Sequence, residues 1–183
     1  MIPLSPSRSE FLEQAVTANV IPVWTEIVAD GETPVSAFAK IGATAPSFLP
    51  ESAEQSDQVG RHSFLGSQPR LTISARGKSV TVTENNQSRT FEAERDPLDE
   101  VEKLMSAYRT VADTELPGFH GGMVGYLSYD CVRWFEPTIP PPPKDELGVP
   151  DMFFMLAGTV LIFDHRRRLL KIVANAFLGD EGP

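Results

Sequence analysis

The chain has 183 residues, 41% of them hydrophobic, and sets 16 Lys and Arg against 25 Asp and Glu for a formal net charge of −9. That balance argues against a nucleic-acid surface, which needs a basic face to meet phosphates, and the length predicts one compact domain. With Cys131 as its one cysteine, the chain can form neither an internal disulfide nor a multi-thiolate metal site.

The apolar run 152–163 falls short of the roughly 18 to 20 residues that cross a bilayer. Residues 1–10 lack the basic, apolar and small-residue succession of an export signal. A cytoplasmic protein without a membrane span is expected.

Ser7-Arg8-Ser9-Glu10 has the spacing of a capping box and predicts a helix over residues 8–18, with Phe11, Leu12, Ala15 and Val16 on its apolar side. Residues 20–28 are rich in β-branched side chains and predict a strand, and Pro22, which lacks a backbone donor, marks it as an edge or as a strand start. Thr33-Pro34 reads as the cap and first position of a second, short helix, with Gly42 as its left-handed stop. Short strands follow at 47–52, 61–67, 71–75, 78–83 and 88–93. They predict an antiparallel meander whose tight turns use Gly77 and Asn85-Asn86.

Asp96-Pro97 opens a third helix to about residue 108, with Leu98, Val101, Leu104 and Met105 as the stripe that should lie across the sheet. The glycine-rich stretch 118–129 predicts a strand that another backbone or a bulky side chain approaches closely. Pro140 to Pro143 reads as a stiff connector. Strands at 152–164 and 169–177 are joined by a basic turn, His165 to Arg168, which is either solvated or set against an acidic partner surface. The last strand runs into Gly179-Asp180-Glu181-Gly182-Pro183 with no capping element, as if a further segment followed. The expected fold is α+β, with antiparallel β-sheets enclosing an apolar core and about three outer helices. The strands of 47–93 should neighbour the later pair.

No phosphate-binding glycine loop, nucleophile elbow or metal-ligand spacing is present. Cys131 has no local triad partners, His165 reads as part of a turn, and His120 beside Gly121-Gly122 is open between a structural and a functional role. Glu51 and Ser52 stand out because they follow the apolar Phe48-Leu49-Pro50, near a core where a carboxylate and a hydroxyl need partners. Two readings stay open. Either backbone groups satisfy the pair, or the pair and the strand Arg61-His62-Ser63-Phe64-Leu65-Gly66 form a pocket for a small zwitterion.

The segments Asp30-Gly31-Glu32-Thr33-Pro34-Val35-Ser36-Ala37, Phe48-Leu49-Pro50-Glu51-Ser52 and Gly60-Arg61-His62-Ser63-Phe64-Leu65-Gly66 are followed by Gly121-Gly122-Met123-Val124-Gly125-Tyr126-Leu127-Ser128-Tyr129-Asp130-Cys131-Val132-Arg133 and by Phe163-Asp164-His165. In this order they resemble the amino-terminal region of anthranilate synthase component I, a chorismate-utilising family, over nearly the whole chain. The related aminodeoxychorismate synthase component I shares the later motifs, but Thr33-Pro34-Val35-Ser36 is more similar to the anthranilate enzyme.

The resemblance implies that residues 1–183 are an amino-terminal regulatory domain. The longer protein would convert chorismate to anthranilate and pyruvate, using ammonia that a glutamine amidotransferase partner, component II, releases from glutamine. A magnesium ion would hold the substrate in a carboxy-terminal catalytic domain whose motifs are absent here, so this chain alone should be inactive. Tryptophan is the family's feedback inhibitor, and the resemblance implies that Glu51, Ser52 and His62 contact it. Two departures from the family pattern fall there: Pro50 replaces a leucine and removes a donor, and His62 replaces a tyrosine. A stand-alone amino-acid-binding module, or a scaffold that only supports the glutaminase contact, are the competing readings.

Overall fold

A computed structural model of the chain describes residues 3–41, 46–51, 61–136, 138–140, 145 and 147–179. In chain order the elements are α1 Arg8–Gln14, β1 Val20–Val28, α2 Pro34–Lys40, β2 Ser47–Phe48, β3 His62–Ser67, β4 Leu71–Arg76, β5 Ser79–Glu84, β6 Gln87–Glu92, α3 Pro97–Ser106, β7 Gly122–Leu127, a 3₁₀ helix Tyr129–Trp134, β8 Met152–Ala157, β9 Thr159–Asp164 and β10 Leu169–Phe177. The expected α+β class holds, with two sheets of antiparallel ladders and three α-helices among the described residues. Contacts divide the chain into two compact units, one comprising Met1–Pro69, Tyr108–Gly122 and Ala157–Pro183, the other Arg70–Ala107 and Met123–Leu156.

The first unit is built on the sheet β1-β10-β9-β3-β2. Pro22 explains why β1 can stand at its edge. Val20 and Trp24 donate their N–H groups away from β10, to Arg109 O at 3.0 Å and Ser5 O at 2.7 Å, so Pro22, of the same parity, removes a donor from the open side and none from the ladder. α2 starts at a reciprocal cap in which Thr33 Oγ1 accepts from Ser36 N at 3.0 Å and Ser36 Oγ accepts from Thr33 N at 2.9 Å. The buried core of this unit gathers Ala29 and Ala37 with Leu65, Phe163 and Leu170, and Phe38 packs against them.

The second unit carries the sheet β6-β5-β4-β8-β7. Leu71, Ile73 and Ala75 of β4 are buried together with Val80 and Val82 of β5, whereas their neighbours form a hydroxyl-bearing face. On that face Thr81 pairs with Thr90 at 2.9 Å and Thr83 with Ser88 at 2.8 Å. Gly77, Asn85 and Asn86 all take positive φ at the two hairpin turns, as their type requires. At Gly125 a side chain is excluded, because a Cβ there would fall 1.9 Å from Phe153 O.

Several expected elements differ. α1 ends at Gln14 and buries no residue, and Leu12 and Val16 of its expected apolar side are exposed. The strand expected at 47–52 is only Ser47–Phe48, consistent with the donor missing at Pro50, although Pro50 O still accepts from Phe64 N at 3.3 Å. The meander is confined to β4, β5 and β6, since β3 pairs with β9 in the other sheet. The run expected as one strand, 152–164, is two, interrupted at Gly158, with β8 on β4 and β9 on β3 and β10. Gly42 and Pro141 to Pro143 lie outside the described residues.

Candidate functional site

Antiparallel register places facing residues on a common side of a sheet. In the first unit this brings His62 and Phe64 of β3, Ile162 and Asp164 of β9, Lys171 and Val173 of β10, and Trp24 and Glu26 of β1 onto one face. At the end of that face where β9 turns into β10 lies an open concavity of about 420 Å³, bounded by Arg61, His62, Asp164, Arg167 and Lys171 and by residues 114–117.

Asp164 organises this end. It is 5% exposed and accepts from two N–H groups of Arg61, Nη2 reaching Oδ2 at 2.5 Å and Nε shared between Oδ2 at 3.2 Å and Oδ1 at 3.3 Å. Its Oδ1 also accepts from Arg166 N at 3.1 Å and Arg167 N at 3.0 Å, which folds the β9–β10 turn around the carboxylate. Burial works against the charge on Asp164, but the Arg61 guanidinium and the turn N–H groups outweigh it and hold the carboxyl at about 2. His62 Nε2 stands 3.7 Å from Asp164 Oδ2. Burial pushes the His62 imidazole below its ordinary value, with the nearby Asp164 charge opposing that only in part, so the neutral ring is favoured.

The opposite side of the concavity is equally fixed. Lys171, 8% exposed, lies 2.9 Å from Glu26 Oε2 and 3.8 Å from the centre of the Trp24 ring. Trp24 Nε1 donates to Asp113 Oδ2 at 2.8 Å, and Asp113 Oδ1 accepts from Glu115 N at 2.8 Å, so the indole pins the loop that bounds the concavity. Phe119 stands edge-on to Phe64 with ring centres 5.3 Å apart, and Asn175 Nδ2 donates to His120 O at 2.9 Å. These contacts fix Arg61 against Asp164 on one side of the concavity and Lys171 against Glu26 on the other. Such a site suits the recognition of a charged small molecule.

Of the residues singled out in the sequence, His62 borders the concavity. Glu51 is exposed and is not among the bounding residues, and Ser52 lies outside the described residues. Arg61, Asp164, Lys171 and Trp24 were not singled out as site residues. Arg61 and Asp164 lie within the quoted segments, whereas Lys171 and Trp24 carry no sequence signal that separates them from ordinary strand residues. His120 Nδ1 stands 3.1 Å from Pro117 O in the loop. His165 Nε2 stands 2.7 Å from Ser63 Oγ, but Ser63 is 2% exposed, too buried for a nucleophile that must meet a substrate. Burial pushes the Cys131 thiol up, with Asp151 and Asp130 adding to it, the reverse of an activated thiolate. Among the described residues no group of three or more His, Cys, Asp or Glu is placed to hold a metal ion, and no helix is long and apolar enough to cross a membrane.

No family model matches the chain. Individual relatives do. Anthranilate synthase component 1 of Synechocystis sp. is 40% identical, the match covering 97% of this chain and 35% of that protein. The protein of the same name from Acetivibrio thermocellus is 34% identical, over 93% of this chain and 34% of its own length. Anthranilate synthase alpha subunit 2 of Arabidopsis thaliana is 37% identical over 90% of this chain and 28% of its own. Among solved structures, anthranilate synthase component I from Streptococcus pneumoniae overlaps with a TM-score of 0.45 at 24% identity, over 85% of this chain and 31% of that one. The chain spans about a third of the length of the curated relatives it matches. By sequence, this chain is a relative of anthranilate synthase component I, similar to it along nearly its whole length.

Proposed function

We propose that this chain is the amino-terminal, tryptophan-sensing region of an anthranilate synthase component I. The observation that carries the reading is the alignment itself: almost all of this chain matches about a third of each relative. The longer protein would convert chorismate and ammonia to anthranilate and pyruvate in the cytoplasm. The ammonia would come from glutamine through a glutamine amidotransferase subunit. The catalytic residues and the magnesium ion would belong to the carboxy-terminal part of that longer protein. This region would then be inactive alone and act through its contact with that part.

Glu51, Ser52 and His62 are the proposed contacts with tryptophan. Tryptophan can lower activity only by binding a less active arrangement of the protein more tightly than the active one, and chorismate must then weaken tryptophan binding by the same factor. The polar concavity supports the His62 part of this reading, since it sets a flat ring among charged groups that an amino acid could meet.

The test is anthranilate formation by the full-length protein with its glutaminase subunit, with tryptophan titrated in. Saturable inhibition is expected, and Ser52→Ala should raise the inhibition constant roughly tenfold, the usual loss for one hydrogen bond to a charged group. Indifference of the enzyme to tryptophan would sink the sensing role. Formation of aminodeoxychorismate in place of anthranilate would assign the chain to that related enzyme.

A further inference from the structure

We propose that Arg61 is the receptor for the amino acid's carboxylate and that Asp164 is the positioning residue that presents it; this extends the tryptophan-sensing reading and rests on it. A guanidinium carries five N–H donors in a rigid plane. Asp164 engages Nε and Nη2 of Arg61, and among the described residues the two hydrogens of Nη1 and one on Nη2 have no partner and remain for a ligand. The Arg61 side chain borders the concavity at 36% exposure, while the carboxylate that grips it is only 6% exposed. One side of the fork is therefore buried and fixed, and the other meets solvent.

Such a fork matches the geometry of a carboxylate at two points. Arg61 is also held in place before any ligand arrives, which removes much of the ordering cost of binding. The neighbouring cations are less suited. Lys171 is occupied by Glu26 and the Trp24 ring, and Arg167 stands on the exposed turn, where its side chain has no ion pair among the described residues. His62, the sensing residue already proposed, follows Arg61 directly and borders the same concavity.

The experiment compares equilibrium dialysis of tryptophan and of tryptamine, which lacks the carboxylate, against the full-length protein and two variants. Arg61→Lys keeps a positive charge opposite Asp164, so the fold is retained, but it loses the planar fork. Arg61→Lys should bind tryptophan roughly tenfold more weakly while tryptamine binding changes by less than about twofold. Asp164→Asn should weaken tryptophan selectively in the same sense, because the fork is then no longer held. A variant that weakens both ligands equally, or neither, overturns the inference while leaving tryptophan sensing intact. Failure of the parent protein to bind tryptophan overturns both.

Discussion

Arg61 and Asp164, 103 positions apart in the chain, form a two-point guanidinium–carboxylate pair just before β3 begins and where β9 ends. The same carboxylate receives two N–H groups of the turn that follows it. One buried side chain thus ties the start of one strand to the hairpin that closes its neighbour. Removing its charge strands a guanidinium without a partner, whereas an amide still accepts from the turn. Asp164→Asn should therefore destabilise the protein by about 1–3 kcal/mol, and Asp164→Ala by more, in denaturant unfolding. Equal losses for the two would mean that the turn contacts contribute nothing.

Acid should act on this end of the sheet in two stages. The His62 imidazole is held below its ordinary 6.5, so the unfolded chain takes up that proton first and stability falls as pH drops below 6.5. The Asp164 carboxyl sits at about 2 against an ordinary 3.8. Its contribution is complete above 3.8 and disappears as pH falls through 2. Unfolding midpoints measured from pH 8 to pH 2 should show both declines. His62→Gln should remove the first, and Asp164→Asn should reduce the second; an unchanged profile in either variant contradicts the assignment.

Gly125 and Gly118 make a matched pair of tests. A Cβ at Gly125 would meet the Phe153 backbone, with O at 1.9 Å and C at 2.8 Å, whereas nothing lies within 4 Å of one at Gly118. The strand backbone cannot move aside as a flexible side chain would. Gly125→Ala should cost about 3 kcal/mol or more through forced separation of β7 from β8, and Gly118→Ala less than about 1 kcal/mol. Similar thermal midpoints for the two variants would count against the packing of β7 on β8.

At the start of α2 the hydroxyl of Thr33 accepts from Ser36 N at 3.0 Å. Thr33→Ala leaves that donor to water and should lower stability by about 1 kcal/mol, whereas Thr33→Ser should stay within a few tenths. Urea unfolding of the two variants separates the loss of the cap from a loss of methyl packing.

Much of the secondary structure was legible because its causes are local. β1 falls on the β-branched run Val20–Val28, and β10 on the strand expected at Leu169–Phe177. The α2 and α3 starts follow from Thr33-Pro34 and Asp96-Pro97, where a side-chain acceptor and a proline select the first turn. The close approach at Gly125 was likewise signalled by a glycine inside a strand pattern. The extent of α1 was not, since the apolar spacing continues past Gln14 but no packing partner makes the extra turn favourable.

Among the candidate site residues, the chain's own order pointed to His62 because it stands in a recognisable segment, and the fold sets it beside the concavity. Asp164, Lys171 and Trp24 acquired their roles only through strand pairing, because register decides which side chains share a face and nothing within one strand states its neighbour. The apolar run 152–164 is continuous in sequence yet serves two sheets, one through β4 and one through β3 and β10. Local propensity fixes where backbone groups are extended; long-range pairing, which depends on residues about a hundred positions away, fixes what each extended segment touches.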